Sequence, residues 1–115
     1  MTLWAEIEDT MRLLDLALAE SKERGRVWVQ AQAHYYGVKA RTVYQMEAEG
    51  QSASMIALKI KGEPDVNEAM AARDAAQVEY ENAREARNVY KKKLDTLREE
   101  YAREWGRAGM EYIDG

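Results

Sequence analysis

The stretch "GQSASMIALKIKGEPD", residues 50–65, contains the only proline of the chain and two of its seven glycines. The sequence on both sides of it is rich in charged residues and alanine, as is typical of long exposed helices. Gly50 suits the position just after a helix, and Pro64 suits the first turn of the next one. We therefore predict a linker over about residues 50–64 that joins two long helices.

The linker is longer than a tight helix–helix turn and has a helix signal of its own. Ser52 or Ser54 can cap a short helix, and Lys59 and Lys61 lie where its C-terminal end would favour cations. Long loops are often functional. We expect its four large apolar side chains to cover the end of the hairpin or, as the less favoured alternative, to bind a partner. These candidate partner-binding residues are Met55, Ile56, Leu58 and Ile60.

Apolar or small residues recur three and four positions apart before the linker, which predicts a helix over about residues 3–49. Thr2 is a suitable N-cap, and such a helix would be about 70 Å long at 1.5 Å per residue. Gly25 inside it can admit a bulky neighbour. The predicted contact stripe contains Trp4, Ile7, Met11, Leu14, Leu18, Ser21, Gly25, Trp28, Gln32, Tyr35, Lys39, Thr42 and Met46.

A second helix is predicted over about residues 65–108, followed by a frayed tail over 109–115. Asp65 with Glu68 three residues later has the pattern of a capping box. The contact stripe of this helix contains Val66, Ala69, Arg73, Ala76, Tyr80, Ala83, Arg87, Tyr90, Leu94, Leu97, Tyr101, Glu104 and Ala108. The heptad spacing of both stripes predicts an all-α, coiled-coil-like antiparallel hairpin that forms a single domain, residues 1–115.

The charge distribution favours this antiparallel pairing. Residues 1–20 carry five acids and one base, a net charge of −4, whereas residues 84–108 carry eight bases and five acids, a net charge of +3. Opposite residues are expected to have numbers that add up to about 115. Gly25 would then face Tyr90, and Trp28 would face Arg87 in a cation–π contact.

Further apolar residues lie off the two stripes and widen the apolar face beyond the seam of a two-helix hairpin. An isolated hairpin would leave them in water, and large exposed apolar patches usually mark an interface. We therefore predict a homodimer with two-fold symmetry that forms a four-helix bundle. The off-stripe residues are Leu3, Leu13, Ala17, Val27, Val29, Tyr36, Val38, Val43, Val78 and Val89.

The sequence gives little sign of catalysis. The single histidine, His34, has no marked partner, and adjacent acids such as Glu99 and Glu100 point to different sides of a helix. None of the usual phosphate-binding, dinucleotide or metal motifs occurs, and there is no cysteine. We expect a protein that is not an enzyme and has no cofactor or metal. No apolar run approaches the about 20 residues of a membrane span, and the acidic N-terminus does not resemble a signal peptide.

Basic residues form the strongest candidate surface for nucleic acid or an acidic partner. In the predicted register they make a band in the middle of the hairpin, where Tyr90 could stack on bases. Most lysine-rich helix faces are simply solvated, and the net charge of −4 argues against a nucleic-acid binder. The band contains Lys22, Arg24, Arg26, Arg84, Arg87, Lys91, Lys92 and Lys93.

Three segments, "MTLWAEIEDTMRLLDLALAE", "AQAHYYGVKA" and "ARDAAQVEYENAREARNVYKKKLDTLREEYAREWG", resemble a family of small helical proteins encoded by phages and prophages of Gram-positive bacteria. Its W-x-E-I start corresponds to Trp4–Ile7, its R-A-E-G turn to Glu47–Gly50, and its closing R-E-W to Arg103–Trp105. The resemblance covers nearly the whole chain. The chain departs from the family in Gly-Glu-Pro-Asp at the turn and in the three lysines after Tyr90.

The resemblance implies a phage context, often among early or DNA-metabolism genes, and it implies no catalytic residues. Our first hypothesis is a non-enzymatic phage accessory protein in the bacterial cytoplasm that acts as a homodimer and binds a phage or host protein. One alternative is a nucleic-acid-binding accessory that uses the basic band. Another alternative is an inhibitor of a host defence protein, in which acidic helix faces compete for a basic site.

Overall fold

The computed structural model describes the backbone of residues 2–114 and the side chains of residues 2–107. Over this range the chain is all-α. Helix α1 spans Leu3–Ala48, the short helix α2 spans Ala53–Lys59 and continues into a 3₁₀ turn at Ile60–Gly62, and α3 spans Pro64–Asp114. This confirms the predicted helical hairpin with two long helices and a short linker helix.

The ends of α1 follow from local hydrogen bonding. Thr2 Oγ1 accepts a hydrogen bond from the Ala5 backbone N–H at 3.1 Å, as expected for an N-cap. At the other end Gly50 has a φ of 82°, which favours glycine. The N–H groups of Gly50 and Gln51 donate back to the carbonyls of Glu47 and Met46, the pattern that closes many helices.

The start and end of α3 differ in detail from the prediction. The helix begins at Pro64, and the Asn67 N–H donates to the Glu63 carbonyl, so Asp65 lies in the first turn and is not the N-cap of a capping box. Its negative charge there complements the helix dipole. The helix continues to Asp114, past the expected end near residue 108, so the predicted tail is helical over 109–114. Gly115 lies outside the described residues.

The chain that we expected to form one domain groups into two compact units. Unit 1 contains Met1–Ser21 and Asn82–Gly115, and unit 2 contains Lys22–Glu81. Both α1 and α3 contribute a segment to each unit. Each unit has its own apolar cluster and is described separately below.

The apolar cluster of unit 2 lies at the linker end of the two helices. It brings α2 together with the last turns of α1 and the first turns of α3. Val43 packs against it from α1. Leucine-sized side chains in such a cluster each contribute about 1.5–3 kcal/mol when fully buried. The buried members are Tyr35, Val38, Met46, Ile56, Ile60, Val66 and Ala69.

The register of unit 2 differs from the predicted one. Gly25 lies against Tyr80 and not against Tyr90, and Trp28 stacks on the same tyrosine with ring centroids 5.4 Å apart. The numbers of Gly25 and Tyr80 add up to 105 instead of about 115, a shift of ten residues or about 15 Å along the helix. The predicted Gly25–Tyr90 and Trp28–Arg87 pairs are therefore wrong.

The reason for the shift is the position of the linker helix. In the observed register the start of α3 is level with about residue 41, so the last two turns of α1 extend beyond it. Helix α2 packs on this overhang, where Ile56 and Ile60 join Met46 in the cluster. The predicted register treated the linker as a symmetric turn and gave it no such space.

The apolar cluster of unit 1 is smaller and joins the other ends of α1 and α3. Its buried members are Ile7, Leu94 and Leu97, and Leu3, Leu14 and Tyr101 pack against them. Trp4 lies on Tyr101 with ring centroids 5.5 Å apart. The numbers of this pair add up to 105, and Leu14 and Leu18 border residues 87–98, so the two segments of unit 1 are antiparallel.

The contact stripe of α3 is as predicted over residues 66–101, where its positions are buried or half-buried. On α1 four of the thirteen predicted stripe residues, Trp4, Met11, Leu18 and Lys39, are exposed instead of buried. Thr10 in unit 1 and Val38 in unit 2 are buried, whereas the neighbouring stripe residues Met11 and Lys39 are exposed. The helix–helix contact of α1 therefore uses the residue one position before each exposed stripe residue. Trp4, Met11 and Leu18 face the solvent as a result.

Candidate functional site

The four apolar residues of the linker divide between two roles. Ile56 and Ile60, four residues apart on one side of the chain, are buried in the cluster of unit 2, whereas Met55 and Leu58 are exposed. Ser52 fixes this orientation as the N-cap of α2, because its Oγ accepts a hydrogen bond from the Met55 N–H at 3.3 Å. Two of the candidate partner-binding residues thus cover the hairpin end, and two remain accessible.

A small pocket of about 220 Å³ lies beside the linker in unit 2. Its lining is mostly apolar and includes the two lysines Lys39 and Lys61. The guanidinium carbon of Arg73 is 4.3 Å from the centroid of the Tyr35 ring, a cation–π contact that holds this wall in place. The pocket is lined by Tyr35, Lys39, Ile60, Lys61, Val66, Asn67 and Met70.

His34 is exposed and borders a wider groove of unit 2, of about 580 Å³. The charged groups of this groove are mixed, with Arg41 on α1 and both Asp65 and Glu68 on α3. The groove is open, and it is lined by two carboxylates and one guanidinium beside His34. Over the described residues no group of three His, Cys, Asp or Glu side chains could hold a metal ion.

The first-helix part of the predicted basic band belongs to unit 2 and is largely ion-paired. Arg24 contacts Glu79 of α3 at 2.9 Å, and Arg26 contacts Glu23 at 2.6 Å. The hydrogen bond from Arg26 lowers the pKa of Glu23 below its ordinary value. Lys22 is exposed. These pairs reduce the positive charge that this part of the chain offers to a phosphate or an acidic protein.

The remaining basic residues of the predicted band, Arg84, Arg87 and Lys91–Lys93, belong to unit 1. Arg87 and Lys91 line one groove of about 520 Å³, together with Arg98, which the band did not include. Lys92 and Lys93 are exposed and lie outside this groove. Leu14, Leu18 and Leu94 are apolar residues that line the groove, and Asp95 is the one acid that lines it.

An exposed apolar row runs beside this groove along α1. Trp4, Met11 and Leu18 follow one another at intervals of seven residues, and their exposed fractions are 53%, 42% and 43%. Trp105 extends the surface from α3, with its ring 6.0 Å from that of Tyr101. We call the groove and this row together the unit 1 face.

The sequence prediction missed this row because it placed the three residues in the helix–helix seam. The signal that could have identified the seam is the parallel set Leu3, Thr10 and Ala17, one position earlier, which is the set that is buried or half-buried. This set was not predicted as the contact because Thr10 is polar and Ala17 has only a small apolar side chain. Of the ten off-stripe residues that an isolated hairpin was expected to leave in water, Val29, Tyr36, Val78 and Val89 are exposed, Val38 is buried, and the other five are half-buried.

Comparisons with protein-family models, curated proteins and solved structures find no match for this chain. The resemblance to phage-encoded helical proteins therefore stays a prediction. The helices of the described part of the chain contain no apolar window long enough to cross a bilayer.

Proposed function

We propose that this chain is a non-enzymatic interaction protein that acts as a helical homodimer, formed when the unit 1 faces of two copies meet as a four-helix bundle. The observation that supports this proposal is the exposed row of Trp4, Met11 and Leu18. Isolated exposed apolar residues are common on soluble proteins, but apolar residues that repeat every seven positions along one side of a helix supply one of the two heptad positions by which a helix packs on another helix.

Energetic considerations favour coverage of this row. Full burial of a leucine- or methionine-sized side chain contributes about 1.5–3 kcal/mol, and an aromatic ring contributes more area. Leu18 of the row also lines the groove, together with Leu14 and Leu94. One helix that packs over the row would therefore bury the row and these groove residues together. A second hairpin supplies such a helix with the same apolar spacing.

A phage accessory role, in which the dimer binds a phage or host protein, fits the resemblance and is part of the proposal. The exposed Met55 and Leu58 of the linker offer a separate surface for that partner. A nucleic-acid role is the second candidate because Arg87, Lys91 and Arg98 converge on one groove. The ion pairs of Arg24 and Arg26 make it the weaker candidate.

Light scattering after size exclusion tests the homodimer. The chain mass is 13.2 kDa, so the wild type is expected at about 26 kDa at micromolar concentration. The variant Met11→Glu places a charge in the middle of the row and should give a monomer, because burying an unpaired charge is strongly unfavourable. A wild type that stays monomeric contradicts the proposal.

Leu16→Glu provides the matched control. Leu16 is 58% exposed and lies about 140° around α1 from Met11 at 100° per residue. It adds the same charge to the same helix but on another side, so this variant should remain a dimer. Circular dichroism should show equal helicity for both variants, which separates loss of the dimer from loss of the fold.

A further inference from the structure

Charged residues border the apolar row of the unit 1 face on both sides. Glu8 lies between Trp4 and Met11 in the sequence, and Asp15 lies between Met11 and Leu18, each three or four positions from both neighbours in the row. Residues at these spacings are neighbours on a helix surface. The outer edge of the row on α1 is therefore acidic, and both carboxylates are exposed.

The opposite edge of the face is mainly basic, with three cationic residues and Asp95 as its one acid. Lys91 and Arg98 of α3 lie seven residues apart and line the groove beside Leu18. Among the residues with described side chains, the ion pairs of unit 1 do not include Glu8, Asp15, Lys91 or Arg98. Four charges at the edges of one apolar face are thus available for pairing outside their own chain.

In the register of unit 1 the two acids of α1 and the two bases of α3 lie at matching heights, that is, at matching positions along the helix axes. In unit 1 Trp4 is level with Tyr101, which places Glu8 level with residue 97 and Asp15 level with residue 90. Each acid is therefore within one residue of a base, Arg98 or Lys91, in height. The spacing of seven residues is the same on both edges.

We infer that a second copy of this chain docks on the unit 1 face with its two-fold axis parallel to the helices, so that α1 of each copy lies over α3 of the other. This inference rests on the proposed homodimer and specifies its arrangement. The axis keeps heights unchanged, so Glu8 meets Arg98 of the second copy and Asp15 meets Lys91 of the second copy. Symmetry repeats both pairs, which gives four intermolecular ion pairs.

The alternative two-fold axis, across the helices, is disfavoured by charge. It would lay α1 on α1 and α3 on α3, with the acidic edges together and the basic edges together. Like charges placed opposite each other suppress an arrangement, and complementary edges select it, as in paired helices generally. The long stems of Lys91 and Arg98 can also cover the apolar row while their charges reach the acids.

Charge reversal tests the pairing. The variants Glu8→Lys/Asp15→Lys and Lys91→Glu/Arg98→Glu each place like charges on both edges of the face. Each alone is expected to dimerise at least about tenfold more weakly than the wild type, since close charge pairs at interfaces couple by more than 1.4 kcal/mol. An equimolar mixture of the two should recover a dimer of about 26 kDa that contains one of each. Variants that dimerise like the wild type, or a mixture that does not recover, would overturn the inference.

Cysteine cross-linking tests the orientation, because the chain has no cysteine of its own. A mixture of Asp15→Cys and Lys91→Cys chains, treated with a short bis-maleimide, should give a covalent dimer that contains one chain of each kind. A matched mixture of Leu16→Cys and Val89→Cys has equal heights, since 16 and 89 also add up to 105, but both positions are exposed away from the face, so this mixture should not cross-link. The same result for both mixtures, or a product from the control alone, contradicts the arrangement.

The two proposals fail in distinguishable ways. If the wild type is a dimer but the mixture of Asp15→Cys and Lys91→Cys chains gives no cross-linked product, the homodimer is supported and this arrangement is contradicted. A wild type that is a monomer under the same conditions removes both.

Discussion

The ring of Tyr80 lies so close to Gly25 that a Cβ at that glycine would come within 2.9 Å of Tyr80 Cε2. The Tyr80 ring cannot move away freely because it stacks on Trp28, and Arg24 of the preceding position bonds Glu79 across the helices. A small residue on α1 therefore receives a large one from α3. This contact fixes the helix register of unit 2.

We expect Gly25→Ala to destabilise the protein despite the better helix propensity of alanine. Alanine in a helix interior gains up to about 1 kcal/mol over glycine, whereas overpacking of a tight contact typically costs about 1–3 kcal/mol. The net loss should be about 1 kcal/mol in the free energy of unfolding, measured by urea denaturation.

Gly37→Ala is the control for this substitution. Nothing lies within 4 Å of a Cβ built on Gly37, which is inside the same helix. This variant should be more stable than the wild type by about 0.5–1 kcal/mol. Equal effects of the two substitutions would mean that the Tyr80 contact does not set the register.

The linker helix should be a structural cover with one accessible side. Ile56→Ala removes a buried side chain and is expected to cost about 2–4 kcal/mol in the free energy of unfolding. Leu58→Ala, in the same helix but 75% exposed, should change stability by less than about 0.5 kcal/mol. Thermal or chemical denaturation checks both, and similar losses at the two sites would contradict the observed orientation of α2.

Duplex DNA is expected to bind weakly or not at all at physiological salt. The net charge is −4, and Arg24 and Arg26 are ion-paired. Fluorescence anisotropy should give no dissociation constant below about 1 µM, which is the tight end of the usual range for nonspecific binding. If tighter binding occurs, replacement of Lys91, Lys92 and Lys93 by alanine should weaken it and flatten its salt dependence. An unchanged affinity would exclude these lysines as the site.

Glu23 should titrate below the ordinary range of a glutamate. The hydrogen bond from Arg26 lowers its pKa, so the stabilisation from this pair is present above the unfolded-state pKa and is lost as the pH falls through the folded-state value. Arg26→Gln should raise the pKa of Glu23 again, which a carbon-detected NMR titration can measure. An unchanged pKa would mean that the pair does not persist in solution.

The sequence predicts the helices better than it predicts how they face each other. Gly50, Ser52 and Pro64 act through local backbone chemistry, so the helix ends that border the linker are predictable to within one or two residues, whereas the end of α3 is six residues later than expected. The register depends on the space that α2 occupies over Met46, which is a property of the packed cluster and not of any short segment. The sequence did not identify the contact side of α1 because the polar Thr10 is buried and the apolar Met11 is exposed, which is the opposite of what their polarity predicts.

The candidate surfaces show the same division. The linker residues Met55, Ile56, Leu58 and Ile60 could be identified by composition, but only the orientation of α2 separates the covered pair from the exposed pair. The unit 1 face required the observed seam, since Met11 and Leu18 look like core residues in the sequence. Arg98 lines the groove but was not predicted to do so, because it lies outside the run Lys91–Lys93 on which the predicted basic band was based.

Sedimentation equilibrium of the wild-type chain over a dilution series tests the proposed homodimer directly. We expect a species of about 26 kDa at micromolar concentration, which dissociates on dilution to the 13.2 kDa chain. A fully helical species that remains at 13.2 kDa at every concentration would show that the exposed row of Trp4, Met11 and Leu18 is not a dimer interface, and would contradict the homodimer.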